Sequence, residues 1–189
     1  MIKKLIHESI ESHQKTTGLI DNYLIEKVKS SSSIIIETLR NSKKVMWCGN
    51  GGSAAQANHL SAELVGGMYT KKIEPFASIC LNSDTAFITA WSNDDSFENI
   101  FLRQLQSLGC KGDILFVLST SGNSKNIINA ASYALNNGIK VISLTGNSGG
   151  AIKEFSDINI NIPSNDTQRI QEIHILIGHI ICDIIENNI

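Results

Sequence analysis

Five short apolar runs, none of them alternating with polar residues, constrain the fold of this chain more than any other feature. An unbroken apolar strand requires cover on both faces of its sheet, which is the situation in parallel sheets. Segments with helical spacing separate the runs, as expected of a parallel sheet between two layers of helices. The predicted strands are 45–48, 76–81, 114–118, 141–144 and 158–162.

We therefore expect one α/β domain over 1–189, with a five-stranded parallel core at 44–189 and helices at 1–43. Within the N-terminal part, apolar spacing predicts one or two helices, and the serine run 30–33 is expected to face solvent or interrupt a helix. The last helix carries more Ile and Leu than one face needs, which predicts burial in an oligomer. The helices predicted in the core are 54–65, 85–90, 100–108, 126–137, 151–155 and 167–186.

The composition is that of an ordinary globular protein, with 42% hydrophobic residues, 18% charged residues and a formal net charge of -2. Neither a nucleic acid nor a membrane is expected as a partner. The first residues mix charged and apolar side chains and lack the apolar stretch of a signal peptide, so we expect a cytoplasmic protein. The four cysteines are widely spaced, which indicates reduced thiols rather than disulfides.

A glycine-rich turn, Cys48-Gly49-Asn50-Gly51-Gly52-Ser53, follows the first predicted strand. A turn of this kind exposes backbone N–H groups at the positive end of the next helix and suits an anion. The run also matches the dinucleotide fingerprint, but that site needs an acidic residue after the second strand, where Leu81 and Asn82 stand. We expect no nucleotide cofactor, and a tight turn without any ligand is the alternative.

The third predicted strand ends in a hydroxyl-rich segment, Ser119-Thr120-Ser121-Gly122-Asn123-Ser124, just before a predicted helix. A phosphate monoester is bound by many donors that converge at a helix N-terminus. Helix capping accounts for one or two of these hydroxyls but not for four. The G-K-[ST] element of a nucleoside triphosphate loop is absent, so the segment predicts a phosphate ester site.

Two spaced pairs of polar residues lie on predicted helices. His59 and Glu63 are four residues apart and share one helix face, whereas Gln171 and His179 lie two turns apart on the last helix. Alone, each pair is typical of a surface pair or a core histidine as much as of a catalytic or metal site. The other three histidines are expected to be structural.

Together these residues resemble the sugar isomerase (SIS) domain family over nearly the whole chain. Further matching motifs are Asn93-Asp94, Leu144-Thr145-Gly146 with Gly149-Gly150, and Arg169 to His174 leading to His179. The resemblance implies a flavodoxin-like SIS fold and a homotetramer with active sites at subunit interfaces. It also implies conversion of sedoheptulose 7-phosphate to D-glycero-D-manno-heptose 7-phosphate, for bacterial lipopolysaccharide or capsule.

The resemblance implies a role for each matching residue. Glu63 would be the general base and His179 the general acid. Some family members bind zinc at the positions of His59, Glu63, Gln171 and His179, which implies a zinc ion in each subunit. The positions implied to bind the substrate are Asn50, Gly51, Gly52, Ser53, Asn93, Asp94, Ser119, Thr120, Ser121, Ser124 and Gln171.

The chemistry of an aldose–ketose interconversion suits these residue types. A proton must leave the carbon next to the carbonyl and return to the neighbouring carbon, while an oxygen proton moves through an enediol. One carboxylate serves both carbons, and a histidine moves the oxygen proton. If Glu63 binds a metal its basicity falls, so a catalytic, structural or inhibitory metal remains open.

Two segments depart from the family pattern. Family members carry an Arg shortly after the helix with the Glu, where this chain reads Gly66-Gly67-Met68-Tyr69, and Lys71 or Lys72 is the expected substitute. The residues around Asn93-Asp94 also differ, with Trp91-Ser92 before them and Asp95-Ser96 after them. These departures leave the substrate preference open.

Two other classes of function are alternatives. A non-catalytic phosphosugar-binding regulator, such as the family member that associates with the replication initiator DnaA, tends to lose the acid and the base. Because Glu63 and His179 are both present, the sequence favours an enzyme. A zinc hydrolase built on His59, Glu63 and His179 would lack a water-activating base once Glu63 is a ligand.

Overall fold

The computed structural model describes residues 1–69 and 74–189 of the chain. Lys71 and Lys72, the expected substitutes for the family Arg, lie outside the described residues. The described parts form a five-stranded sheet with strand order β2-β1-β3-β4-β5, and every pair of neighbouring strands is parallel. The strands are β1 (Val45–Gly49), β2 (Ser78–Cys80), β3 (Ile114–Ser119), β4 (Lys140–Thr145) and β5 (Ile158–Asn161).

The five predicted strands are confirmed, and their order is that of flavodoxin-like sheets. The second strand is shorter than the predicted 76–81, because it lies at the edge of the sheet and pairs only with the start of β1. Alternate residues of β1 point into two different cores. Val45 and Trp47 pack on the side of α2, α3 and α7, whereas Met46 and Cys48 pack on the side of α5 and α6.

Helices cover both faces of this sheet, as predicted. Residues 151–155, predicted as a helix, form a short 3₁₀ turn, since five residues are too few for a stable α-helix. Among the described helices, none has both the length and the apolar character needed to span a membrane. The helices are α1 (Ile2–Thr17), α2 (Asn22–Arg40), α3 (Gly52–Gly66), α4 (Thr85–Asp94), α5 (Ile100–Leu108), α6 (Lys125–Asn136) and α7 (Thr167–Glu186).

The serine run 30–33 does not interrupt a helix, because it lies within α2. The prediction that it faces solvent is also wrong for Ser31 and Ser32, which are buried. The hydroxyl of Ser32 donates to the carbonyl of Val28, one turn earlier, at 3.0 Å. A serine that bonds back to its own helix in this way keeps a partner for its hydroxyl when it is buried, whereas the Ser31 hydroxyl has none among the described residues.

Helices α3 and α7 run in the same direction and touch along much of their length. An added Cβ at Gly178 would meet Leu60 Cδ1 at 2.5 Å, so only glycine permits this approach. Near the start of the pair, Gln56 Nε2 donates to the Gln171 carbonyl at 2.6 Å. Contacts with α2, α3 and the sheet cover most of the apolar residues of α7, although Ile180 remains 42% exposed.

Helix α1 is attached to α7 by polar contacts. The Arg169 guanidinium donates to the Ser9 carbonyl and, at 2.7 Å, to the Glu172 carboxylate. The same carboxylate lies 2.7 Å from Nδ1 of His13. Towards its N-terminus, α1 carries apolar side chains that are exposed within the chain, from Ile2, Leu5, Ile6 and Ile10.

His174 of α7 is fully buried between the helices and the sheet. Its ring nitrogens make no hydrogen bond of good geometry with the described residues, although the backbone of Thr145 lies close enough to favour the protonated form. Desolvation dominates and lowers the pKa of His174 to about 4. The folded protein therefore holds this imidazole neutral, in agreement with the structural role expected for it.

This burial predicts a pH dependence of stability. Between pH 6.5 and 4 the unfolded chain binds a proton at His174 that the folded protein excludes, so stability falls as the pH falls through that window. The contribution amounts to about 1.4 kcal/mol per pH unit. Urea unfolding at pH 7 and pH 5 should show a smaller loss for His174→Gln than for the wild type. The exposed His7→Gln variant is the control, and equal losses in all three proteins would contradict the assignment.

Candidate active site

The glycine turn between β1 and α3 depends on the absence of side chains. Gly51 has a φ of +56°, which glycine adopts without strain. An added Cβ at Gly49 would meet the Ser53 backbone at 2.6 Å, and one at Gly52 would meet the Gln171 side chain at 2.6 Å. The turn therefore brings three predicted substrate positions, Gly51, Gly52 and Gln171, to one place.

Asn82 holds this turn from the side of β2. Its Oδ1 accepts from the Gly49 N–H at 3.2 Å, and its Nδ2 donates to the Gly49 carbonyl at 2.9 Å. The carboxamide thus continues the hydrogen bonding of the sheet beyond the last residue of β2. A dinucleotide site would place an acidic residue here, whereas Asn82 is occupied in fixing the backbone of the turn.

The hydroxyl-rich loop after β3 uses some of its hydroxyls to hold its own shape. Ser119 is buried, and its Oγ accepts from the Gly122 N–H at 3.1 Å. Ser121 Oγ accepts from the Asn123 N–H at 3.2 Å. Ser124 begins α6 without a side-chain capping bond, which leaves its hydroxyl at the helix N-terminus for a ligand.

A polar cleft of about 240 Å³ opens beside this loop. It contains Thr120 and Ser121 from the predicted phosphate site, and none of the described residues that line it is a lysine or an arginine. Sequence reasoning missed the opposite wall, which follows β4 and β5. The signal was available, since ligands of such sheets collect beyond the carboxyl ends of the strands. The additional polar lining residues are Asn123, Asn147, Ser148, Ser164, Asn165 and Thr167.

The loop after β4 supports the hydroxyl-rich loop by backbone contacts. The Gly146 N–H donates to the Thr120 carbonyl at 3.0 Å, and the Ile152 N–H donates to the Gly122 carbonyl at 2.9 Å. Gly122 has a φ of +64°, and an added Cβ would overlap the Gly149 carbonyl. The two loops therefore fit together only with glycine at their contact.

Asn93 and Asp94, predicted to bind sugar hydroxyls, are exposed at the end of α4. Asn93 Nδ2 donates to Asp94 Oδ1 at 2.8 Å. The segment that follows is tied to the start of α6 by an ion pair between Glu98 and Lys125 at 2.9 Å. Neither Asn93 nor Asp94 is among the described residues that line the polar cleft.

Three side chains that were predicted to be functional lie together further along the contact between α3 and α7. His59 Nε2 lies 2.7 Å from His179 Nε2 and 3.3 Å from Glu63 Oε1. One ligand atom from each of the three residues lies within 4.8 Å of the others. The His59 side chain is 47% exposed and that of Glu63 is 23% exposed, so a substrate can reach the group. The structure thus brings Glu63 and His179, predicted as base and acid, into one cluster.

These three residues fit a divalent metal ion. Two imidazole nitrogens and a carboxylate oxygen form the ligand set of three-ligand zinc sites that keep an open position. Cys182 lies one turn further on α7, where burial raises the pKa of its thiol to about 12, and its Sγ lies 4.0 Å from the Leu60 carbonyl. Gln171, the fourth predicted ligand, lies at the glycine turn, two helical turns before His179 and about 12 Å away along the axis.

The polar cleft lies at the start of α7, and the histidine cluster lies in its second half. Ile170 lines the cleft, and His179 follows it by nine residues, or about 13 Å of helix. In an extended sugar phosphate, seven bonds separate the phosphorus from C2, which is about 8 Å at the advance per bond of an extended chain. The axial separation of the Ile170 and His179 backbone positions therefore exceeds this length by about 5 Å.

Comparison with known proteins gives consistent similarities. A sequence model of the SIS domain matches residues 11–146. The phosphoheptose isomerase of Aliarcobacter butzleri is 45% identical over 188 residues, covering 100% of this chain and 99% of the relative. The structure of a phosphoheptose isomerase from Francisella tularensis matches with a TM-score of 0.96 and 36% identity over 100% of both chains. The structure of phosphoheptose isomerase GmhA from Neisseria gonorrhoeae matches with a TM-score of 0.91 and 36% identity. The match covers 98% of this chain and 99% of that chain.

The contact between the hydroxyl-rich loop and the loop after β4 predicts the effect of adding one methyl group at Gly122. Gly122→Ala should cost on the order of 1–3 kcal/mol of unfolding free energy through its positive φ, and the overlap with Gly149 should add to it. It should also weaken binding of inorganic phosphate, measured by calorimetry. Gly66→Ala is the control, because nothing lies within 4 Å of a Cβ there. Equal phosphate affinity in a folded Gly122→Ala protein would contradict the role of the contact.

Proposed function

The chain belongs to the SIS domain family and is an aldose–ketose isomerase of the phosphoheptose isomerase type, and we propose that Glu63 and His179 transfer its protons. The reaction converts sedoheptulose 7-phosphate to D-glycero-D-manno-heptose 7-phosphate through an enediol. The observation that supports the two roles is the cluster of Glu63, His179 and His59 at one accessible place. A carboxylate and an imidazole are the groups that this proton transfer needs.

The proposed steps use each group twice. The Glu63 carboxylate takes a proton from C1 of the open-chain ketose and returns it to C2, which forms and then consumes the enediol. His179 gives a proton to the oxygen on C2 and takes one from the oxygen on C1. Such positioned acid–base steps are typically worth 10²–10⁴ in rate, about 3–5 kcal/mol of the barrier.

The polar cleft is proposed to hold the phosphate. Thr120, Ser121 and Ser124 offer hydroxyls beside the N-terminus of α6, where the helix dipole favours an anion. The buried Ser119 stabilises the shape of the loop instead of contacting the phosphate. Neutral donors hold a phosphate by hydrogen bonds, so the affinity should depend on the shape of the loop more than on ionic strength.

We further propose that His59, Glu63 and His179 hold a zinc ion. When bound, the metal would supply a Lewis acid, but it would also lower the basicity of Glu63 and occupy the lone pair of His179, so metal binding and proton transfer would compete for these two groups. His59, which the proton transfers do not use, would then hold His179 and Glu63 at fixed positions. Zinc content measured by elemental analysis should fall in a His59→Ala protein that is still folded.

The separation between cleft and cluster supports a composite active site in a homotetramer. The cleft of one subunit would bind the phosphate, and Glu63 and His179 of a neighbouring subunit would reach C1 and C2. The exposed apolar face of α1, within the segment 1–43, offers a surface for this assembly. We place the enzyme in the cytoplasm, in the synthesis of heptose for lipopolysaccharide or capsule.

The regulator remains the second class of function and is not favoured. The full-length relatives are named as isomerases, and both proposed proton-transfer groups are present and close together. A regulator would bind sugar phosphates without exchanging their protons. Deuterium uptake therefore distinguishes the two classes directly.

The acid–base assignment predicts the behaviour of two conservative variants. Glu63→Gln and His179→Gln should each lower turnover of sedoheptulose 7-phosphate at least about 100-fold, because one transfer group is lost. Incubation in heavy water should give aldose with deuterium at C2 for the wild type only. Both variants should still bind inorganic phosphate. Wild-type activity in either variant would remove that residue from the mechanism.

The composite site predicts complementation between two inactive variants. Glu63→Gln lacks the base, and Ser121→Asp places a negative charge in the phosphate cleft. If each site combines two chains, tetramers refolded from an equal mixture should regain about a quarter of wild-type activity, since one site in four receives both intact halves. Each variant refolded alone is the control. No recovery in mixed tetramers, verified by mass, would place both halves of the site in one chain.

A further inference from the structure

A buried carboxamide pair connects the glycine turn to the helix that follows the phosphate loop. Asn126, the second residue of α6, is only 2% exposed. Its Nδ2 donates to Asn50 Oδ1 at 2.9 Å, and its Oδ1 accepts from Asn50 Nδ2 at 2.9 Å. Neither the motifs of the sequence nor the mechanism above uses Asn126.

A backbone bond decides which way the pair is oriented. Asn126 Oδ1 also accepts from the Ile127 N–H at 2.9 Å, so the oxygen of this carboxamide must face the helix backbone and cannot exchange places with the nitrogen. The partner is fixed in turn, because Asn50 must place its nitrogen against the Asn126 oxygen. Both lone pairs of Asn126 Oδ1 are then used.

Asn50 keeps hydrogen-bonding groups that the pair does not use, and the pair fixes the direction in which they point. A carboxamide has two N–H groups and two lone pairs, and Asn126 uses one of each. Asn50 is half-buried in the glycine turn, where Gln171 also lies against Gly52. One N–H and one lone pair of Asn50 thus remain for a sugar hydroxyl or carbonyl oxygen.

We propose that Asn126 is a positioning residue of the isomerase, which fixes the Asn50 carboxamide in the orientation that binds the open-chain sugar. This inference rests on the proposed function. It assigns Asn126 an effect on the sugar rather than on the phosphate, because its contacts reach the glycine turn and not the lining of the polar cleft. Fixing a binding group before the substrate arrives raises the rate by removing unproductive orientations.

A double-mutant cycle tests this role. Asn126→Ala and Asn50→Ala should each lower kcat/KM for sedoheptulose 7-phosphate at least about 10-fold, as is usual for a lost positioning contact. If Asn126 acts through Asn50, the double variant should lose no more than Asn50→Ala alone. The inhibition constant for inorganic phosphate should stay within about twofold of wild type. Additive losses, or an equal loss of phosphate affinity, would overturn the proposal in favour of a general structural role.

Two further variants accompany the double-mutant cycle, one as a control and one as a substitute for Asn126→Ala. Asn129→Ala lies one turn later on α6 and removes carboxamide bonds to Glu98 and Asn99, away from the glycine turn, so its kcat/KM should match the wild type. Asn126→Asp keeps the acceptor for Asn50 and Ile127 but cannot donate to Asn50 Oδ1. It serves where Asn126→Ala does not fold, and it should lower kcat/KM with the same phosphate affinity.

A substrate-free measurement separates this inference from the proposed function. The side-chain amide signals of Asn50 in NMR spectra of the ¹⁵N-labelled protein should exchange slowly with solvent in the wild type and in Asn129→Ala, and faster in Asn126→Ala. Unchanged Asn50 signals in Asn126→Ala would overturn the positioning role. Slow wild-type exchange without turnover of sedoheptulose 7-phosphate would instead overturn the proposed function.

Discussion

The close parallel packing of α3 against α7 is the contact on which the rest of the site depends. Gly178 lets the Leu60 side chain approach the backbone of α7, which sets the spacing and rotation of the two helices. At that spacing, His59 and Glu63 of one helix meet His179 of the other. A larger residue at 178 would separate the helices, and the three functional groups would no longer converge.

The same helix pair carries two different chemical environments along its length. At its start, glycine turns and carboxamides surround a neutral polar cleft suited to a phosphate and a sugar. About two turns further on, imidazole and carboxylate groups suited to proton transfer stand at the surface. Because helices are rigid on this scale, this distance is fixed within one chain. The proposed composite site between subunits is a simple way for one substrate to use both environments.

Preorganisation is a common feature of the loops that are proposed to bind the substrate. Backbone bonds from the loop after β4 shape the hydroxyl-rich loop, and the carboxamides of Asn82 and Asn126 hold the glycine turn from two sides. The lining residues that the structure describes are neutral, so they would bind an anion through directed dipoles. Such dipoles are effective only when they are held in place before the substrate arrives.

The sequence by itself determined the five strands and nearly all the helices, because apolar periodicity is a local property, and the family resemblance singled out His59, Glu63 and His179. It did not determine that Ser31 and Ser32 are buried, or that Gln171 lies at the glycine turn rather than beside His179. The far wall of the cleft and the Asn50–Asn126 pair were also decided only by the tertiary structure. These features depend on how distant loops and helices meet, and no short-range pattern in the chain records the distances between them.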